Sequence, residues 1–178
     1  MSNPRILPGR RADVGVATWV LAALAGKAMG TRPLHLFLTL GRHRWLFRGW
    51  LVFAGRLMPG GRLRRRESEL VILRVAHLRD CRYEFEHHLH LGRRAGVTAE
   101  DVERVTAGPE APGWAPREAA MLGAVDELHA DGDLGDATWA TLREHVDERE
   151  AIELCMLAGH YEMLATVIAA LRIQTDLR

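Results

Sequence analysis

An all-α fold is what this sequence predicts, on three observations. Leu, Val and Ala dominate the apolar positions, those positions recur at helical spacing, and two-residue alternation bounded by turn residues, the mark of a half-buried strand, is almost absent. The chain has 178 residues, 48% hydrophobic and 26% charged. That is enough to bury one core, so a single domain over 1–178 is expected. Within it, 1–65 is read as an N-terminal helical segment, 66–106 as the helices carrying the unusual polar residues, and 107–178 as C-terminal helices.

After a Pro-containing lead-in, the spacing predicts an amphipathic helix over about 14–29, broken by "GTRP". In "LHLFLTLGRHRWLFRGWLVFAGRLMPGG" the residues Leu46, Phe47, Trp50, Leu51, Phe53 and Ala54 recur at helical spacing, and "PGG" ends the run. "GGRLRRRE" follows as a solvated basic loop. Ser68 and Glu69 open an apolar helix through "LVILRVAHL". Asp80 can cap the next helix, which starts at Cys81, by accepting a bond from an orphan backbone N–H. "AGVTAEDVERV" reads as a helix end at Gly96, an N-cap at Thr98 and a short helix with Glu100 and Asp101 in its first turn. "GPEAPGWAPRE" is a loop, "DGDLGD" separates the two helices that follow, and "EREAIELCMLAGHYEMLATVIAALRIQ" is one long apolar helix.

A net charge of +1 creates no global field for nucleic acid. Cys81 and Cys155 stand too far apart to suggest a small disulfide framework, so reduced thiols and a cytoplasmic setting are expected. Arg10, Arg11 and the small residues Ala23 to Ala25 have features of an export signal. Asp13 and Lys27 interrupt that pattern, and the apolar run falls short of the ~20 residues of a membrane span. No membrane partner is expected.

On a helix each residue turns by about 100°, so Cys81, Glu84, Phe85, His88, Gly92 and Ala95 share one face, while Tyr83, His87, His90 and Arg94 point to the solvated side. The first face mixes residues suited to close packing with a thiol, a carboxyl and an imidazole. Ionisable groups on a buried face are costly unless they serve one another or a ligand. The packing alternative is a Glu84–His88 pair at i, i+4 with Cys81 as a small filler. Metal binding by Glu84 with His87 or His88 is disfavoured, because a carboxylate-bridged di-iron bundle needs a second Glu-x-x-His and the chain has none. A thiolate at Cys81 would be favoured by the helix N-terminus but opposed by Glu84 one turn on. Acid/base chemistry needs only a carboxyl and an imidazole held together away from water. Tyr161 in "GHYEML" joins the candidates, since its neighbours lie on the apolar stripe of the last helix.

The segment "ESELVILRVAHLRDCRYEFEHHLHLGRRAGVTAEDVERV" resembles the core motif of the carboxymuconolactone decarboxylase and alkylhydroperoxidase D-like superfamily. The resemblance is strong over 66–106 and looser on both sides, and it implies an all-helical alkylhydroperoxidase D-like bundle. It also implies a homo-oligomer (dimer, trimer or hexamer), for which apolar surface on the first and last helices is an independent hint. In the peroxidase branch an upstream glutamate, a Cys-x-x-Cys pair and a histidine four residues after the second cysteine form a proton relay. Glu69, Cys81 and His88 fall at the glutamate, first cysteine and histidine. Glu84 replaces the second cysteine, which is the peroxidatic thiol of that branch, and Tyr83 replaces the histidine common between the two cysteines.

In the decarboxylase branch a small lactone acid loses carbon dioxide and the resulting electron pair is delocalised into a carbonyl and protonated. The resemblance therefore implies an enzyme acting without a cofactor or metal on a small-molecule substrate, with Glu69, Glu84 and His88 catalytic and Cys81 lining the site. Tyr83, Phe85 and Tyr161 are the candidate substrate contacts, and an arginine would hold a substrate carboxylate. The alternatives are a one-cysteine peroxidase acting through Cys81, and a non-catalytic binding or assembly protein.

Overall fold

The computed structural model describes residues 3–176, and all regular structure among them is helical. The chain divides into two compact units, one made of the residues up to Arg56 together with those from Thr166 onward, the other of Leu57–Ala165.

In the first unit, α1 (Arg11–Val14) and α2 (Val16–Met29) are separated at Gly15, whose positive φ suits glycine. α3 (His35–Leu40) and α4 (Arg44–Leu57) divide the apolar segment expected as one run. Val14, Ala22 and Leu38 form a small core with Phe37, and Phe37, Phe47 and Trp50 make an aromatic cluster. Gly26 packs so closely on the Arg32 carbonyl that a Cβ there would clash. The first long helix is not amphipathic in the expected sense. Only Ala22 and Gly26 of α2 are buried, and Val16, Trp19, Val20, Leu21 and Leu24 are exposed. In α4, Phe47 is buried whereas Leu46 points outward.

The second unit is built around α5 (Arg65–Leu78), in which every residue from Glu67 to Ala76 is buried. It packs against α6 (Arg82–Arg94), α7 (Ala99–Ala107) and α8 (Pro116–Asp131); α9 (Asp136–Arg143) lies on α8, and α10 (Glu148–Leu171) is the long apolar helix. Leu70, Leu73, Val97, Val105 and Leu122 form a core cluster under Phe85 and Trp114. α5 starts three residues before the expected Ser68, because Glu67 reaches back to accept the Arg64 N–H at 3.0 Å. The basic run is a solvated loop only as far as Arg64, which is exposed like Arg62; Arg65 and Arg66 belong to α5. Arg66 donates to Asp101, Glu118 and the Gly96 carbonyl, and Arg117 clamps Glu67 and Glu150.

Deeper in, Arg74 forks onto Asp126 at 2.6 and 2.7 Å and bonds the Val105 carbonyl, closing α5 onto α7 and α8. Thr98 caps α7 as expected, accepting from the Asp101 N–H at 3.2 Å. Asp80 is different. It takes a positive φ in the turn after α5, and no side chain caps α6; Cys81 itself occupies the N-cap position, its N–H bonded to the Ala76 carbonyl at 2.8 Å.

Candidate active site

The sharp α5–α6 turn folds α6 back along α5, so residues 19 apart in sequence meet. His88 Nδ1 lies 2.7 Å from Glu69 Oε2 in the interior. Glu69 is fully buried, and its other oxygen lies 2.7 Å from an Arg65 Nη one helical turn earlier. The imidazole thus pairs with Glu69, not with Glu84 as i, i+4 spacing suggested. Tyr161 of α10 packs edge-on against the His88 ring at 5.0 Å, and His160 packs edge-on against Tyr161 at 5.2 Å. Burial, followed by the nearby charges of Glu84 and Glu69, pushes the Tyr161 phenol well above its ordinary value. His160 is pushed down to about 4, first by burial and then by the charge of His88.

Glu84 sits in the first turn of α6, 3% exposed, with the Cys81 thiol as the polar side chain beside it. Burial raises its carboxyl to about 8, with the carboxylate of Glu162 adding to the effect and Cys81 opposing it. Cys81 rises to about 12, from burial first and the Glu84 charge second, against a smaller downward pull from Arg79. Both cysteines are free thiols.

A cleft of about 310 Å³ opens at this corner, lined by Ala76, His77, Asp80, Cys81, Arg82, Phe85 and Thr106. Among the expected site residues, Cys81 and Phe85 form part of its wall; Glu69, Glu84 and His88 do not. Tyr83 is not solvated. It is buried and stacked face to face on His87 at 4.5 Å, and His87 is buried with it; His90 is half-buried and Arg94 exposed. α6 is enclosed on more of its circumference than one stripe requires, leaving Arg82, Arg93 and Arg94 exposed.

Four groups were not anticipated from the sequence. Arg65 could have been read from its i, i+4 spacing to Glu69. His160, Glu162 and Arg79 could not, since the 2.6 Å His129–Glu162 contact and the 3.3 Å Arg79–Glu162 contact join residues far apart in the chain. No group of three His, Cys, Asp or Glu side chains arranged to hold a metal ion occurs among the described residues.

Residues 46–127 match the carboxymuconolactone decarboxylase family. No curated protein matches the sequence. Among solved structures, a peroxidase-related protein from Ralstonia eutropha described as an alkylhydroperoxidase AhpD core is similar at 18% identity and a TM-score of 0.85, over 99% of this chain and 94% of that one. The debrominase Bmp8 is similar at 16% identity and a TM-score of 0.82, over 98% of this chain and 93% of its own. A protein of unknown function from Agrobacterium tumefaciens aligns at 20% identity and a TM-score of 0.69, over 74% of this chain and 91% of that one. At these identities the likeness is one of fold. Residues 46–127 thus carry the pattern of the carboxymuconolactone decarboxylase family, and the chain as a whole shares the helical fold of alkylhydroperoxidase D-like proteins.

Proposed function

We propose that this protein is an enzyme performing acid/base chemistry on a small organic acid or lactone, with Glu84 as proton donor and the His88–Glu69 pair as shuttle. The observation that carries this reading is the Glu84 carboxyl, buried beside a neutral thiol and held at about 8. At neutral pH such a group is mostly protonated, which suits a general acid. A ligand in the cleft meets Cys81, and Glu84 adjoins the thiol outside the cleft wall, so the substrate reaches the carboxyl by displacing the Cys81 side chain. In a decarboxylation the bond to the substrate carboxylate breaks and carbon dioxide leaves. The electron pair moves into the conjugated carbonyl, and the resulting enolate takes the proton from Glu84 at carbon. Glu84 recovers its proton from solvent, so one proton is consumed per turnover, and the His88–Glu69 pair relays protons on the Tyr161 side of the interior.

The test is a panel of small acids and lactones assayed with wild type and three variants. Glu84→Gln and His88→Ala are expected to lose activity by a factor of at least ~10², while Cys81→Ala retains much of it. Inactivity of Cys81→Ala with an active Glu84→Gln sinks the reading.

A second reading, thiol chemistry at Cys81, is favoured by one observation: this residue lines the cleft. A cysteine-to-alanine variant of the debrominase has been solved with 2,3,4-tribromopyrrole, and a thiol-dependent reaction here would use the same kind of group. The position of the Cys81 thiol at about 12 opposes it. Peroxide consumption by reduced protein that disappears in Cys81→Ser would establish this second reading.

A further inference from the structure

The apolar run behind Arg10 and Arg11, which has features of an export signal, is folded as α2. This helix contains no acidic residue and turns its large apolar side chains outward. Val16 and Leu24 are each 61% exposed, Val20 41% and Trp19 38%, whereas only Ala22 and Gly26 are buried. At about 100° per residue those four side chains fall within one arc of about 140°, and Lys27 lies on the same line as Val16 and Val20. α10 is the longer apolar helix, but Leu154, Leu157, Ala158 and Tyr161 bury one side of it in the second unit, as in a core helix. α2 has no such cover among the described residues.

Charge says what fits this face. The sequence of the first unit carries eleven Lys and Arg against two Asp and Glu. Both acids are engaged within the unit. Asp13 accepts the Arg10 N–H at 2.8 Å and lies 3.7 Å from an Arg42 Nη, and Asp176 accepts the His35 N–H at 2.8 Å. Arg11, Lys27 and Arg32, placed before, on and after α2, are exposed and enter no ion pair among the described residues. Unpaired cations at both ends of an aliphatic face with a tryptophan at its edge match an anionic bilayer surface. The acyl chains take the aliphatic side chains, the indole sits at headgroup level, and the cations meet lipid phosphates. A nucleic acid would use the cations and leave Val16, Val20 and Leu24 in water. The expectation of no membrane partner rests on spanning and export. At 14 residues α2 is too short to span, but a helix lying along the interface needs neither that length nor an export signal.

We infer that α2 docks this protein on an anionic lipid bilayer, lying in the interface with Val16, Val20 and Leu24 among the acyl chains and Arg11, Lys27 and Arg32 against the phosphates. The inference is independent of the chemistry proposed for the site.

Cosedimentation of the full chain with lipid vesicles tests it, with circular dichroism to confirm unchanged helicity in each variant. Wild type is expected to bind mixed vesicles of phosphatidylcholine and phosphatidylglycerol at least about tenfold more tightly than phosphatidylcholine alone, and to lose most of that difference at high salt. Leu24→Glu and Lys27→Glu are each expected to weaken binding to the mixed vesicles at least about fivefold. Ile152→Glu, on the exposed side of α10, is expected to bind as wild type does. Brominated lipid is expected to quench wild-type tryptophan fluorescence, and Trp19→Phe to remove most of that quenching. No binding to the mixed vesicles overturns the inference, as does undiminished binding by Leu24→Glu. Binding to duplex DNA that Lys27→Glu weakens and Leu24→Glu does not would assign the cations to nucleic acid and overturn it too. So would an oligomeric wild type that Leu24→Glu makes monomeric, because a second copy of the chain would then cover α2.

Discussion

A carboxyl held at about 8 in the native protein makes stability depend on pH in a definite direction. Glu84 has an ordinary carboxylate pKa when unfolded and a raised one when folded. Its contribution is therefore fully present below the unfolded value and is lost as pH rises through the folded one. Chemical denaturation between about pH 5 and 8 is expected to show wild type losing stability relative to Glu84→Gln, by on the order of a few kcal/mol. A flat difference across that window would show that the carboxyl is not protonated in the native state. At Cys81 the expectation is inertness: alkylation by iodoacetamide at pH 7 to 8 is expected to run at least about tenfold slower than for an unperturbed thiol. The residues of this site were largely legible in the sequence, since Cys81, Glu84 and His88 share one helix face and Glu69 falls at a motif position. Their pairing stands open between two partners for His88, Glu84 by spacing and Glu69 by the motif. Spacing along α6 points His88 at Glu84, and only the turn at Asp80 brings α5 alongside and gives the ring to Glu69.

Among the elements, α5 is held by ion pairs to other helices as well as by its buried apolar residues. Replacing Arg74 with Ala strands Asp126 and the Val105 carbonyl together, a loss expected to cost about 3 kcal/mol in denaturant unfolding. The Thr98→Ala change removes one cap bond from α7 and is expected to cost about 1 kcal/mol. The Thr98 cap was readable because capping is local, with donor and acceptor three residues apart. By contrast, the start of α5 was misplaced because arginines in a row look solvated. What decides the matter is whether acidic partners lie opposite, and Asp101 and Glu118 come from other helices. Tyr83 and His87 were misplaced for a related reason. A hydrophobic stripe predicts the minimum buried face of a helix, and an interior helix such as α6 buries more.

Over the whole molecule, the site has a local half and a distant half. The His88–Glu69 contact belongs to one helical hairpin, whereas Tyr161, which packs against His88 and stands near Glu84, arrives from α10 at the far end of the second unit. The hairpin rests on contacts local in sequence, whereas the surroundings that dry the carboxyl include α10. In the unfolded chain Glu84 is an ordinary ionised side chain in water. Folding at neutral pH therefore draws a hydrogen ion out of the buffer, so the packing that buries the carboxyl also supplies the site with the proton it is proposed to deliver.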